Sequence, residues 1–347
     1  MAKDRENMPS FDDVPLQPAE PQGFSFEQLV RCDDCLRANP PTRVNCLYCG
    51  ALLPLTEAGA TLQKPILRRL EKWEQGYNNI LRTLGNERSS DELPNKVANL
   101  LCLSVDDVRR IFARERPLPL ARAATLDEAS LIERKLRDLG IETVIVSDSE
   151  LGLEASPPRR VRALDLSETE VVAYRSAGAE TERILWSEVA LVTTARLFVR
   201  QVEIRERKSR RAENEILDAS EITTDEAVMD LYTQRPDGGW RIAANSFDFS
   251  CLQSRKTLLA AENFSTLINT IRECAPQAEF DDSYNTIRRA LEPVWPSDQK
   301  TETRGWRRDM PGRYSTGEVT TNNNESQFNR YSRLQHYLRF HPLDQPR

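Results

Sequence analysis

The segment Cys32-Asp33-Asp34-Cys35 is separated by ten residues from Cys46-Leu47-Tyr48-Cys49-Gly50. Four of the seven cysteines therefore fall within 18 residues, as two C-x-x-C pairs. Each short loop lets two sulfurs point at one centre, and two such loops supply the four ligands of a tetrahedral Zn²⁺ site. Gly50, directly after Cys49, eases the tight turn of its knuckle. Asn39 and Pro40-Pro41 lie in the connecting loop and stiffen it. With all four ligands cysteine, no coordination position stays open, so the expected site is structural rather than catalytic. The expectation is one structural Zn²⁺ per chain, held by Cys32, Cys35, Cys46 and Cys49. A segment this short, covering residues 24–54, buries too little apolar surface to fold without the metal.

The string Cys-x2-Cys-x3-Asn-x6-Cys-x2-Cys over residues 30–50 resembles zinc fingers of the Ran-binding type, and equally bacterial zinc-ribbon modules. The Ran-binding family carries a tryptophan two residues before its first cysteine, where this chain has Val30. Single-stranded RNA binding is what that family's pattern implies. Arg31, Arg37 and Arg43 could meet phosphate, but Asp33 and Asp34 in the knuckle repel it. The module therefore reads first as a folded knob for protein contact.

Whole-chain properties set the frame. A length of 347 residues suggests two or three domains. Charged residues make up 29% and hydrophobic ones 39%, and a net charge of −6 gives no general attraction to nucleic acid or anionic membrane. No apolar run reaches the roughly 18–20 residues that span a bilayer. Residues 1–23 are acidic and rich in proline, without the basic and apolar regions of a secretory signal, and read as a disordered leader. The expected location is the cytoplasm, where paired cysteines serve as metal ligands rather than disulfides.

A linker around Thr56 to Lys64 leads into residues 64–155, expected to be a helical and small α/β module. Between Pro65 and Gly85, Ile66, Leu70, Trp73, Tyr77, Ile80 and Leu84 recur at helical spacing and predict a long helix packed on its own domain. Lys96 to Leu101 and Val105 to Ala113 read as further helices, the second capped by Ser104. Thr125 and Glu128 form a capping box for a helix lined by Ala129, Ile132, Leu136 and Leu139, with Gly140 as its left-handed stop. Leu118 to Ala123 and Ile141 to Val146 flank it as strands. In the order of these elements, residues 95–147 resemble the C-terminal domain of the bacterial ribosomal stalk protein.

Beyond Pro157-Pro158, residues 159–283 change to strand character. Val161 to Leu166, Val171 to Tyr174, Ile184 to Val192 and Leu197 to Ile204 are β-prone runs. Arg205 to Glu226 reads as a solvated loop or splayed hairpin tip. Val228 to Thr233 and Trp240 to Ala244 flank Pro236-Asp237-Gly238-Gly239, a strong hairpin signal. Phe247 to Leu252 is a further candidate strand, and Phe264, Leu267, Ile268 and Ile271 lie on one helix ended before Pro276. Residues 160–276, with Ile184-x-Trp186-x-Glu188-Val189, resemble bacterial pleckstrin-homology-like domains. That resemblance implies an antiparallel barrel or sandwich with a covering helix. Residues 284–347 read as an extended, largely disordered tail. The expected class is thus α+β multidomain: zinc ribbon, α/β module, β domain and disordered termini.

Few residues suggest catalysis. Cys102, Cys251 and Cys274 read as buried small hydrophobes, and His336 and His341 fall in the polar tail. Phosphate-cradling loops, a G-x-S-x-G elbow and H-E-x-x-H are all missing from the sequence. The tail interleaves Arg304, Arg307, Arg308, Arg313, Arg330, Arg333 and Arg339 with Trp306, Tyr314, Phe328, Tyr331 and Tyr337. That mixture could stack on single-stranded bases, but Leu334, Tyr337 and Leu338 at helical spacing suit docking on a protein. The sequence thus points to a non-catalytic adaptor or scaffold acting on protein partners. A nucleic-acid- or ribosome-associated factor is the second reading, and an enzyme of unrecognised class the third.

Overall fold

The computed structural model describes residues 24–43, 46–51, 53–54, 65, 67–71, 74–82, 92–114, 116–154, 157–175, 181–209, 215–235, 239–310 and 313–342. The leader at 1–23, the linker at 56–64, the Pro236-Asp237-Gly238 turn, and Ile66, Trp73 and Leu84 lie outside them. The chain forms two compact units, Met1–Lys64 and Pro65–Arg347.

The first unit is small. Strands β1 (Val30–Arg31) and β2 (Ala38–Asn39) pair antiparallel and carry the first cysteine knuckle between them.

The second unit opens with a correction to the long helix expected from Pro65. Residues 67–71 are irregular, and Tyr77–Leu81 is strand β3. The apolar spacing was genuine, but Asn78 and Asn79 are poor helix formers and gain more in a sheet. β3 is the central strand, antiparallel to both β4 (Pro119–Ala123) and β5 (Thr143–Ser147), so its backbone is paired on both sides. The Asn78 amide donates to the Val146 carbonyl and Asp148, and that of Asn79 to the Ala129 carbonyl.

The expected helices follow. α1 (Glu92–Leu101) precedes α2 (Val105–Phe112), whose Ser104 hydroxyl accepts from the Asp107 N–H. α3 (Leu126–Asp138) starts at Thr125, which accepts from the Glu128 N–H, while Glu128 accepts from the Ala124 N–H. Gly140 ends it at φ 79°. The strand–helix–strand order was legible; that β3 lies between β4 and β5 was not.

β6 (Arg159–Val161), β7 (Ala163–Leu166), β8 (Glu170–Tyr174) and β9 (Thr181–Leu185) come next. The expected strand Ile184 to Val192 is broken at Trp186–Glu188, a single 3-10 turn in which Glu188 accepts from the Leu185 N–H. Its second half opens β10 (Val189–Ser209), which absorbs the run Leu197 to Ile204. β11 (Glu215–Thr233) returns antiparallel. The charged stretch read as a solvated loop or splayed hairpin tip is therefore mostly strand, the outer part of the β10–β11 antiparallel pair. Its acidic residues pair across strands, Asp225 with Arg196 and Glu221 with Arg200, on a backbone ladder in which β10 is paired on both sides. β12 (Trp240–Ala243) completes the expected hairpin.

Phe247 to Leu252 is not a strand. Asp248 caps a 3-10 segment, Phe249–Arg255, by accepting from the Ser250 N–H, which buries Phe249 and Leu252. α4 (Ala260–Cys274) carries the expected stripe inward. β13 (Glu279–Asp281) follows, and α5 (Tyr284–Leu291), β14 (Asp298–Met310), β15 (Arg313–Asn323) and α6 (Glu325–Phe340) replace the expected disordered tail with ordered structure.

The sheets do not close into a barrel. β7-β8-β9 is a separate three-stranded sheet, and the large sheet runs open in the order β14-β15-β10-β11-β12-β6, with β13 beside β10. β6 and β13 join it in parallel, against the all-antiparallel expectation. Two cores fill the unit. One gathers β3 to β5 and α1 to α3 with α5 and α6, so the supposed tail completes the α/β module. The other lies under β6 to β12 and α4. Alternation on the large sheet separates them. Met229, Leu231, Trp240 and Ile242 face the second core, whereas Asp230, Tyr232 and Arg241 belong to a polar layer bonded to α6.

In that layer Arg241 holds Asp230 through two bonds of 2.6 Å, with side chains 2% and 0% exposed. Breaking a buried pair leaves an uncompensated charge, so Arg241→Leu should lower stability by about 3–5 kcal/mol. Arg241→Leu with Asp230→Leu should recover a good part of that, as measured by urea unfolding. A double variant as unstable as the sum of its parts would count against the pair.

Candidate metal centre

The four cysteines singled out in the sequence come together. One sulfur from each of Cys32, Cys35, Cys46 and Cys49 lies within 4.8 Å of all the others. Cys32 and Cys49 are 3.6 Å apart and Cys35 and Cys46 3.5 Å. Four sulfurs held about 2.3 Å from one ion at tetrahedral angles would be about 3.8 Å apart. The cluster fits one metal ion with little adjustment.

Two equivalent knuckles build it. In the first, the Cys32 carbonyl accepts from the Leu36 N–H at 2.9 Å and the Cys32 N–H donates to the Arg37 carbonyl at 3.0 Å. In the second, the Cys46 carbonyl accepts from the Gly50 N–H at 3.0 Å and the Cys46 N–H donates to the Ala51 carbonyl at 2.7 Å. The residue after each second cysteine turns left-handed, Leu36 at φ 60° and Gly50 at φ 77°. Glycine adopts that conformation freely. Leucine does so at a cost of roughly 1–2 kcal/mol.

Asn39 does more than stiffen the loop. Fully buried, it donates its amide to Cys46 Sγ at 3.4 Å and accepts from the Leu47 N–H at 2.8 Å, tying one knuckle to the other. The Tyr48 N–H also donates to Cys46 Sγ, at 3.4 Å. Burial raises the Cys46 thiol, but the N–H groups of Tyr48 and Cys49, with Cys35 and Asn39, outweigh it and bring it down to about 6. Around Cys49 the Ala51 N–H pulls downward, but burial and the other three cysteines push the thiol up to about 12. One thiolate is thus favoured before any ion arrives, and the charge of an ion would deprotonate the rest.

Three apolar side chains of the knuckles are exposed, beside Asp33 and Asp34, which are exposed as well. Leu36, Leu47 and Tyr48 are 60%, 50% and 56% exposed. Arg37 lies over the Tyr48 ring at 4.8 Å, and Arg31 donates to the Leu36 carbonyl, so two of the expected phosphate-binding arginines are engaged locally. The exposure of Leu36 and Tyr48 was not legible from the cysteine spacing alone.

Other expected residues are placed differently. Cys102 is exposed, at φ 54° in the left-handed stop of α1, and Cys251 and Cys274 are only half-buried, against the expectation of three buried thiols. Phe328 and Tyr331 are fully buried and Tyr337 nearly so, which removes them from any base-stacking surface. His336 is buried against Tyr232, with rings 4.7 Å apart; burial lowers its pKa, and it bonds the Thr233 carbonyl. A cavity of about 510 Å³ is lined by Arg69, Glu71, Arg122, Trp295, Asp298 and Arg330. Its Arg122 and Arg330 both bond Asp148, at 2.5 and 2.8 Å. Burial raises the Asp148 carboxyl, but these arginines and Asn78 hold it below the usual range.

Among the described residues, no helix is long and apolar enough to cross a membrane. No family model matches the chain, and neither a curated protein nor a solved structure matches it.

Proposed function

We propose that residues 24–54 form a structural zinc module and that the chain is a non-catalytic adaptor acting through contacts with other proteins. The observation that carries the reading is the pairing of a closed four-sulfur cluster with exposed Leu36, Leu47 and Tyr48 on the knuckles around it. Four thiolates in a tetrahedral shell suit zinc, or iron. A full shell leaves no position for a substrate, so the metal's contribution is to folding. Backbone strain at an exposed leucine supports a binding role for that side chain, because strain without use is readily lost.

Leu36→Gly separates binding from folding. It should retain one zinc per chain and be at least as stable as the parent, since the left-handed strain is relieved. Combined with Tyr48→Ala, it should lose the proteins that co-purify with the natural sequence after nuclease treatment. An unchanged set of partners, or recovery of RNA alone, would defeat the adaptor reading. Metal analysis after desalting that finds iron or no metal would defeat the zinc assignment.

A further inference from the structure

β14, β15, β10 and β11 form a four-stranded ribbon with two unpaired edges among the described residues. β12 pairs with β11 only over Val228–Leu231, so residues 216–227 have no strand on their outer side. β14 pairs with β15 alone. Rows of unpaired N–H and C=O groups this long invite another strand, and neither edge contains a proline to prevent it.

The two edges differ in charge pattern. Residues 216–227 of β11 hold Asp218, Glu221, Asp225 and Glu226 and no Lys or Arg. Glu221 and Asp225 are already paired with Arg200 and Arg196 of β10, and the edge offers no cation of its own to a second copy.

β14 begins Asp298-Gln299-Lys300-Thr301-Glu302-Thr303-Arg304, with charges −, 0, +, 0, −, 0, +. Residues 298, 300, 302 and 304 share one face, because they oppose residues 323, 321, 319 and 317 of β15 in steps of two. Lys300 and Glu302 bond along that face at 2.5 Å and are 74% and 51% exposed. The first register shift comes after Arg304, so these seven residues are the regular part of the strand. Read backwards, the segment carries the opposite charge at every charged position. An antiparallel copy centred on Thr301 places Lys300 opposite Glu302 on both sides of the axis, and by sequence it sets the acidic position 298 against the basic position 304. No like charges meet. A twofold interface requires this self-complementarity.

We propose that a second copy of this chain docks edge to edge on β14, antiparallel, with the twofold axis at Thr301. The two ribbons then run on as eight strands within a larger sheet, each bordered by the acidic β11 edge over residues 216–227 and, beyond it, by β12 and β6. Because the twofold contact uses the same β14 edge of both copies, the assembly closes as a dimer instead of growing into a fibre.

Sedimentation velocity on the full chain at about 100 µM and low salt tests this, a concentration suited to a small, weak interface. A dimer is expected, dissociating as salt screens the exposed pairs. Lys300→Glu and Glu302→Lys each convert two opposite pairs into like pairs and should weaken association about tenfold or more. The combined K300E/E302K swap is self-complementary again and should restore the dimer, which a local structural role for either residue would not produce. Thr301→Cys should cross-link to itself, because paired Cα atoms on the axis would be about 4.5–5.5 Å apart. A monomer under these conditions overturns the proposal. So does a dimer indifferent to both single reversals, or a double swap as weak as the singles.

Discussion

Removing the metal with a chelator, or replacing Cys46 by Ser, is expected to unfold residues 24–54 and leave residues 65–347 folded. The core of the first unit consists of Val30, Cys32, Cys46 and Leu53, and two of these four are ligands. Val30 and Leu53 together contribute about 3–6 kcal/mol by burial. Ordering even ten residues of backbone costs about 10–20 kcal/mol. Two-residue strands cannot make up the difference. Structural zinc contributes roughly 10–16 kcal/mol to small modules of this kind, enough to reverse the sign. Cys46 is the informative position, because Asn39, the Tyr48 N–H and Cys35 all converge on its sulfur. Hydrogen exchange on the intact chain reads the result by segment. Peptides from 24–54 should lose protection after chelation while those from 65–347 keep theirs. Retained protection in 24–54 with the metal demonstrably gone would mean that the fold does not depend on it.

The contrast between the two units shows which interactions a sequence reveals. The cysteine cluster was legible because its ligands and their turns lie within one short segment, where spacing fixes geometry. α3 was legible for the same reason, since Thr125, Glu128 and Gly140 are local signals at its ends. β3 was not, because Tyr77 and Ile80 satisfy a helical seam as well as a strand. The deciding contacts come from far along the chain: Val146 and Asp148 for Asn78, and the Trp295 indole N–H, which donates to Asn78 at 2.9 Å. The charged hairpin of β10 and β11 hid its strands because its outer half lacks apolar alternation, while backbone pairing of β10 with both β11 and β15 forms the ladder there. Leu36 hid its strain because a left-handed residue in a knuckle is expected to be glycine, as Gly50 is.

Phe328→Ala should destabilise residues 65–347 by about 3–5 kcal/mol, and ending the chain at Asn323 should leave that unit unfolded. The composition of residues 325–340 explains why this segment passes for a disordered tail. Gln327, Ser332, Arg333 and His336 are polar yet buried, so α6 shows no clean apolar stripe. Most of this polarity has identified partners. Gln327 donates to the Trp295 carbonyl at 2.6 Å, and Ser332 bonds Thr193, Asp230 and Tyr232. Between these groups Phe328, Tyr331 and Leu334 are fully buried. At about 1.5–3 kcal/mol each, those three side chains approach the whole net stability of an ordinary domain, about 5–15 kcal/mol. Losing α6 would also uncover Asp230 and Arg241 beneath it and strip Asp148 of Arg330. Urea unfolding followed by far-UV circular dichroism measures both variants. Arg339→Ala is the control, because Arg339 and Glu279 are exposed and 3.9 Å apart, and such pairs contribute at most about 1 kcal/mol. A tail that merely follows the folded unit would make all three changes equally silent. A helix that closes the core makes the first two severe and the third negligible.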